Sequence, residues 1–121
     1  MIGGAHVLVY ADDARAARAF LRDVLGWESV DDGDGWLIFA LPPAELGVHP
    51  TEGSGRRSGE VDVYLLCADL EATVAELHEQ GVHCPVPTDR PFGLVTTIEV
   101  PGFGPVGLYQ PRHASPLGAI G

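Results

Sequence analysis

The chain contains one pattern twice, and this repeat limits the folds that are open to it. The segment AHVLVYADDARAARAFLRDVLGW begins with an alternating strand pattern and continues as an amphipathic helix for which Asp13 is the predicted N-cap. The segment EVDVYLLCADLEATVAELHEQGV has the same order, with Asp69 as the predicted N-cap and a glycine near each helix end. Aligning the two caps places His6 opposite Asp62.

Three strand-like runs follow each predicted helix. They are GWESVD, GWLIFA and ELGVHP in the first half, and VHCPVP, LVTTIEV and VGLYQP in the second. The last run of each half ends in proline, which makes Leu46 the counterpart of Gly107. The sequence therefore predicts an α+β fold of two βαβββ modules, 1–50 and 60–113, joined by the linker 51–59 in a single domain, 1–121. Because one small sheet cannot bury both of its faces, we expect the two modules to pack together.

The predicted strands have two different faces. One face is apolar, and we expect it to pack against the helices; it carries Val7, Val9, Val61, Val63, Leu65 and Cys67. The opposite face mixes His6 and Asp62 with leucines and with Tyr10, Tyr64 and Tyr109. A face of mixed polarity is more typical of a ligand cavity than of a hydrophobic core. Tyrosine rings can bind planar ligands by stacking.

Charge and composition narrow the possible partners. The 121 residues include 17 acidic and 7 basic side chains, for a net charge of −10. This balance disfavours nucleic acid and anionic membranes as partners. The sequence shows no secretion-signal pattern and no apolar run long enough to span a bilayer. We expect a cytoplasmic protein in which Cys67 and Cys84 are reduced.

The two helix segments and the closing PGFGPVGLYQP resemble the vicinal oxygen chelate superfamily, which includes glyoxalase I, extradiol dioxygenases, fosfomycin-resistance enzymes and bleomycin-resistance proteins. The resemblance runs from His6 to Pro111. It implies a glyoxalase/bleomycin-resistance-like fold, in which curled mixed sheets form a cleft, and a homodimer. In metal-dependent relatives, the first and last strands of each module supply ligands to a divalent ion.

Those ligand positions fall on His6, Leu46, Asp62 and Gly107. Two of the four have no donor atom, so His6 and Asp62 alone make an incomplete metal site. His49 could supply a third ligand only if a bulge in its strand turned the side chain into the cleft. Gly107 either opens volume for a larger guest or permits a bulge or a close backbone contact.

Two functions from different classes remain open. The first is a metal-free small-molecule binding protein of the bleomycin-resistance type, which sequesters an aromatic or cationic compound and needs no cofactor. Its predicted ligand-binding residues are His6, Tyr10, Leu46, Asp62, Tyr64, Gly107 and Tyr109. The alternative is a divalent-metal-dependent lyase, isomerase or dioxygenase of the glyoxalase type, with the metal on His6, His49 and Asp62.

A third hypothesis is metal-free proton transfer by a catalytic pair of His6 and Asp62, since a neighbouring carboxylate favours a charged imidazole. A plain hydrogen-bonded pair is the structural alternative for these two residues. The ligand, the reaction type of an enzyme, and pairing of the modules within one chain or between two chains stay open at this point.

Overall fold

The computed structural model describes residues 6–118, which divide into two compact units. Within that range, unit 1 comprises residues 6–40 and 100–104, and unit 2 comprises residues 41–99 and 105–118. Residues 41–50, which the sequence assigns to the first module, thus belong to unit 2. Among the described residues, no helix is long and apolar enough to cross a membrane.

Unit 1 contains one helix and one hairpin. Helix α1 (Ala14–Asp23) begins after Asp13, whose Oδ1 accepts a hydrogen bond of 3.0 Å from the backbone N–H of Ala16. Its buried side chains are Ala17 and Phe20. Strands β1 (Ser29–Asp31) and β2 (Leu37–Phe39) pair in antiparallel fashion. The predicted helix, its cap and two of the strand-like runs of the first half are confirmed.

Two other predicted strands of the first half do not form. Residues 6–10 and 45–50 have no regular strand structure, and within residues 6–118 no backbone hydrogen bond joins either segment to another. Val7 and Val9 are 51% and 54% exposed, so the prediction that they pack against helices is wrong. The physical reason is that an extended segment is stable only when a neighbouring strand takes up its backbone donors and acceptors.

Unit 2 is built on a four-stranded sheet with the strand order β3-β6-β5-β4. The strands are β3 (Tyr64–Leu66), β4 (Thr88–Arg90), β5 (Gly93–Val100) and β6 (Gly104–Pro111). The pair β3 and β6 is parallel, whereas β4 and β5 are antiparallel. The predicted strand at 82–87 is replaced by β4, because Pro85 and Pro87 cannot donate backbone hydrogen bonds to a ladder. The α+β class with mixed sheets is confirmed.

Helix α2 (Leu70–Glu79) supplies much of the core of unit 2. It begins after Asp69, whose Oδ1 accepts from the N–H of Ala72 at 3.1 Å, as predicted. Its buried residues are Leu70, Val74 and Leu77; the sheet contributes buried Ile98 and Leu108, and Cys67, directly after β3, is buried as well. The predicted apolar face of the second module is only partly buried, because Val61 and Val63 are exposed.

Candidate ligand-binding site

Tyr64 and Gly107 are register partners in the parallel pair of β3 and β6, so they share one face of the sheet. The ring of Tyr64 lies over Gly107: a Cβ added to the glycine would overlap ring atom Cδ1, and Cγ would be 2.9 Å away. Gly107 is buried in consequence. The space left by the missing side chain is therefore filled by a ring, and Gly107 does not face the open volume that one of our two interpretations required.

Three rings contact the ring of Tyr109, and we call Tyr64, Phe92, Tyr109 and His113 the aromatic cluster. Phe92 stacks on Tyr109 with 5.9 Å between ring centroids and 15° between planes. Tyr64 meets Tyr109 edge to face at 6.1 Å, and His113 is tilted against it at 5.7 Å. The Tyr109 hydroxyl donates to the backbone carbonyl of Phe92 at 3.0 Å. The predicted proximity of Tyr64, Gly107 and Tyr109 is present in unit 2.

Arg112 fixes the position of Phe92 beside Tyr109. Its backbone N–H donates to the Phe92 carbonyl at 2.9 Å, and its Nη1 donates to the carbonyl of Arg90. Its Nη2 forms an ion pair with Asp89 Oδ1 at 2.6 Å. These contacts hold the turn between β4 and β5 against the end of β6, so the position of the Phe92 ring is set by several backbone groups.

A carboxylate, Glu45, lies at one end of the aromatic cluster. Its side chain is only 20% exposed; Oε2 accepts a hydrogen bond of 2.5 Å from Ser115 Oγ, and Oε1 is 3.8 Å from His113 Nε2. The pKa of Tyr109 is raised, first by burial and then by the negative charge of Glu45. The electrostatic influence of this carboxylate thus reaches the centre of the cluster.

His113 and Ser115 also line a cavity of about 440 Å³ at the end of β6, next to Cys67 and Gln110. This volume is within the usual range for small-molecule sites. Cys67 contributes no reactive group, because burial raises the pKa of its thiol and keeps it protonated. Cys67 and Cys84 are both free and buried.

The remaining predicted site residues are arranged differently. Asp62 forms an ion pair with Arg56, whose Nη2 is 2.8 Å from Oδ1, and both side chains are partly exposed. Leu46 and His49 are exposed in unit 2, and His6 and Tyr10 are exposed in unit 1. The proposed pairing of His6 with Asp62 stays a prediction.

The described residues do not fit a metal centre. Within residues 6–118, no three His, Cys, Asp or Glu side chains are grouped so that they could hold a metal ion. The side chains of Leu46 and Gly107 have no metal-binding atoms, and the carboxylate of Asp62 forms an ion pair with Arg56.

Several residues of the site escaped the sequence analysis. Arg112, His113 and Ser115 follow the last predicted strand, where strand parity gives no face assignment, and their signal was the concentration of polar residues there. Glu45 begins the predicted strand 45–50, in which alternation places it on the face opposite Leu46.

The model of the Glyoxalase/Bleomycin resistance protein/Dioxygenase superfamily matches residues 4–107. The chain belongs to this superfamily. The match ends at residue 107, so Tyr109, His113 and Ser115 lie beyond the part of the chain that matches the superfamily model. No curated protein sequence is significantly similar to the chain.

Several solved structures have a fold similar to that of this chain. TnmS3, an antibiotic binding protein from Streptomyces sp. CB03234, is 23% identical with a TM-score of 0.62, over 93% of this chain and 100% of that one. Lactoylglutathione lyase from Agrobacterium tumefaciens is 18% identical with a TM-score of 0.61, over 89% and 92%. A glyoxalase/bleomycin resistance protein from Streptomyces sp. CB03234 is 25% identical with a TM-score of 0.56, over 84% and 95%.

Proposed function

We propose that this chain is a small-molecule binding protein that sequesters an aromatic compound on the aromatic cluster without transforming it. The observation that carries the proposal is the arrangement of rings around Tyr109. Tyr64 and Phe92 are each 52% exposed, so ring surface is left free on both sides of the central tyrosine. A planar ligand can stack on the exposed rings, which buries apolar surface of both the ligand and the rings.

One of the comparisons and the chemistry of the site support this function. One similar structure is described as an antibiotic binding protein. At 23% identity, its similarity to this chain is one of fold. The hydroxyl of Tyr109 is already bonded to a backbone carbonyl, and the thiol of Cys67 is held in its protonated form by burial. We therefore expect stacking and shape complementarity to bind a ligand at this site, with no reactive side chain involved.

The test is a fluorescence titration of the protein with acridine, a planar aromatic compound. We expect saturable binding, and we expect Phe92→Leu to weaken it up to about tenfold through the loss of one stacked ring. Trp36→Leu is the matched control, because it also removes an exposed ring, from unit 1. An absence of binding, or equal weakening by the control, would contradict the proposed function.

We also propose that the protein works without a metal cofactor, in contrast to a lyase, isomerase or dioxygenase of the glyoxalase type. The support is the lack of donor atoms at Leu46 and Gly107 and the ion pair between Asp62 and Arg56. Calorimetric titration with zinc, nickel and manganese should show no stoichiometric binding. Tight binding that His49→Ala abolishes would favour the metal-dependent alternative instead.

A homodimer in the cytoplasm is the setting we propose. Strand-like segments 6–10 and 45–50 and Val61 leave apolar side chains exposed, and a second copy of the chain is the partner that can cover them. Two free, buried thiols suit a reducing compartment.

A further inference from the structure

The side-chain amide of Gln110 has a defined orientation. The backbone N–H of Leu70, the first residue of α2, donates to Gln110 Oε1 at 2.8 Å. A backbone N–H group can only donate, so the atom that receives this bond must be the amide oxygen and not the amide nitrogen. The bond joins the end of β6 to the fully buried start of α2. The amide nitrogen, Nε2, is left with two N–H donors.

These two donors are open to a ligand. Nε2 donates no hydrogen bond to any residue in the range 6–118, and Gln110 is half-buried. Among the described side chains that are not exposed, no nitrogen or oxygen atom is both closed to solvent and without a hydrogen bond, so solvent reaches Nε2. Gln110 lines the cavity of about 440 Å³ at the end of β6, and this cavity is therefore where a small molecule can meet Nε2.

The other side chains of the cavity wall leave this role to Gln110. Ser115 Oγ donates to Glu45 and accepts from the backbone N–H of Leu117 at 3.1 Å. His113 Nδ1 is 2.8 Å from the carbonyl of the next residue, and its Nε2 is 3.8 Å from Glu45 Oε1. The rest of the wall is small or apolar; it consists of Cys67, Ala68, Pro111, Ala114 and Gly118. A single oriented polar group in such a wall is typical of a small-molecule site.

The cavity is distinct from the exposed faces of the aromatic cluster. Tyr109 and Gln110 are neighbours in β6, so their side chains point to opposite faces of the sheet. The Tyr109 ring contacts Tyr64 and Phe92, whereas the Gln110 amide bonds to α2. His113 is the member of the cluster that also lines the cavity.

The chemistry of the wall favours an uncharged acceptor. An ammonium group has donors alone and cannot accept from Nε2. A carboxylate can accept, but Ser115 in the wall already binds the carboxylate of Glu45, and two negative charges at one wall repel each other. A carbonyl oxygen has lone pairs and no net charge, so it meets both conditions.

We propose that this cavity is a second binding site, for an uncharged organic compound whose carbonyl oxygen accepts a hydrogen bond from Gln110 Nε2. Leu70 positions the amide, and the small and apolar wall contacts the rest of the compound. The inference goes beyond the proposed function, because it requires none of the exposed ring faces of Tyr64 and Phe92.

The composition of the chain provides a direct measurement. It has two glutamines and no asparagine, so the side-chain amide signals in a nitrogen–proton correlation spectrum come from Gln80 and Gln110 alone. Acetophenone is the probe, ethylbenzene is a matched compound without the carbonyl, and benzoate is the anionic acceptor. Acetophenone should shift the Gln110 amide signals saturably and leave those of the exposed Gln80 unchanged. Ethylbenzene and benzoate should bind about threefold to tenfold more weakly, as expected for a lost neutral hydrogen bond or an added repulsion.

Gln110→Glu removes the donors and keeps an oxygen that can accept from the N–H of Leu70, so the fold should be retained. The Kd of acetophenone, followed at the backbone amides of Ala68 and Ala114 in the wall, should rise about threefold to tenfold in this variant. Gln80→Glu makes the same change at an exposed position and should leave the Kd unchanged. The comparison of the three probes on the native chain does not depend on either variant.

Each outcome decides between the two sites. If the Gln110 signals do not shift, if ethylbenzene binds as tightly as acetophenone, or if Gln80→Glu has the effect expected of Gln110→Glu, the inference is wrong. Shifts confined to Tyr64 and Phe92 would likewise exclude the cavity and leave the proposed function intact. If acridine does not bind but acetophenone shifts Gln110 as expected, the proposed function fails and the inference stands.

Discussion

At the scale of single residues, the packing of Gly107 and that of Tyr64 depend on each other. The glycine contributes no side chain to its strand, which ordinarily weakens a sheet through lost packing and greater freedom of the unfolded chain. Here the ring of its parallel register partner covers it, and the glycine is buried. The same contact holds Tyr64 at an edge-to-face angle to Tyr109.

Substitution of this glycine tests the contact. In Gly107→Ala the new Cβ overlaps the Tyr64 ring, which must swing outward, and we expect a loss of about 1 kcal/mol in the free energy of unfolding. Urea denaturation measures the change. In the background of Tyr64→Ala the obstacle is gone, so Gly107→Ala should then be neutral or slightly stabilising. Equal destabilisation in both backgrounds would show that the ring is not the cause.

The predictability of the site follows from what strand parity encodes. Alternation placed Tyr64, Gly107 and Tyr109 on one face, because side chains of a regular strand point alternately to the two sides. It could not show that a ring fills the space at Gly107, since the side-chain rotamer depends on tertiary contacts. Glu45 was missed because the strand predicted at 45–50 does not form and because its partner, Ser115, lies 70 residues further along the chain.

At the scale of elements, the two helices depend on local signals. Asp13 and Asp69 each accept a hydrogen bond from the backbone N–H three residues later, which satisfies a donor that the first turn leaves without an intrahelical partner. The caps were visible in the sequence as aspartates directly before periodic apolar residues. Both helices were therefore predictable from short segments alone.

The cap of α2 makes a measurable contribution to stability. Asp69→Ala should lower the free energy of unfolding by about 1 kcal/mol, because the N–H of Ala72 loses its acceptor. Asp69→Asn removes the charge and keeps an acceptor oxygen, so it should retain most of the stability. Thermal and urea unfolding of the two variants separate capping from charge; similar losses in both would assign the effect to charge.

Strands were less predictable than helices for a physical reason. A helix satisfies its backbone hydrogen bonds internally, whereas a strand requires a partner that can be distant in sequence. β5 and β6 form as predicted because each has a neighbour in the sheet of unit 2. Residues 6–10 and 45–50 have a strand pattern as well, but no described segment pairs with them.

At the scale of the whole molecule, these unpaired segments lead to a prediction about assembly. In light scattering after size-exclusion chromatography, we expect a mass twice the 12.8 kDa of one chain. Val48 is 86% exposed, so Val48→Lys removes no intrachain packing, and it should shift the population toward the monomer by placing a charge in the interface.

Val86→Lys is the matched control, because Val86 is 88% exposed and lies outside the unpaired segments. It should leave the mass unchanged. A monomeric native chain would exclude the dimer, and an equal effect of the two substitutions would remove segment 45–50 from the interface.

The segment after β6 has a consequence for how such a protein can change over time. Ser115 and His113, which hold and face Glu45, follow the last strand, and neither side chain bonds to the strand ladder or to a helix cap. Under the proposed function, mutational drift at these two residues can alter which compounds are bound at little cost to folding. Related chains can then differ in the compounds they bind through a few residues after the last strand, while the fold is retained.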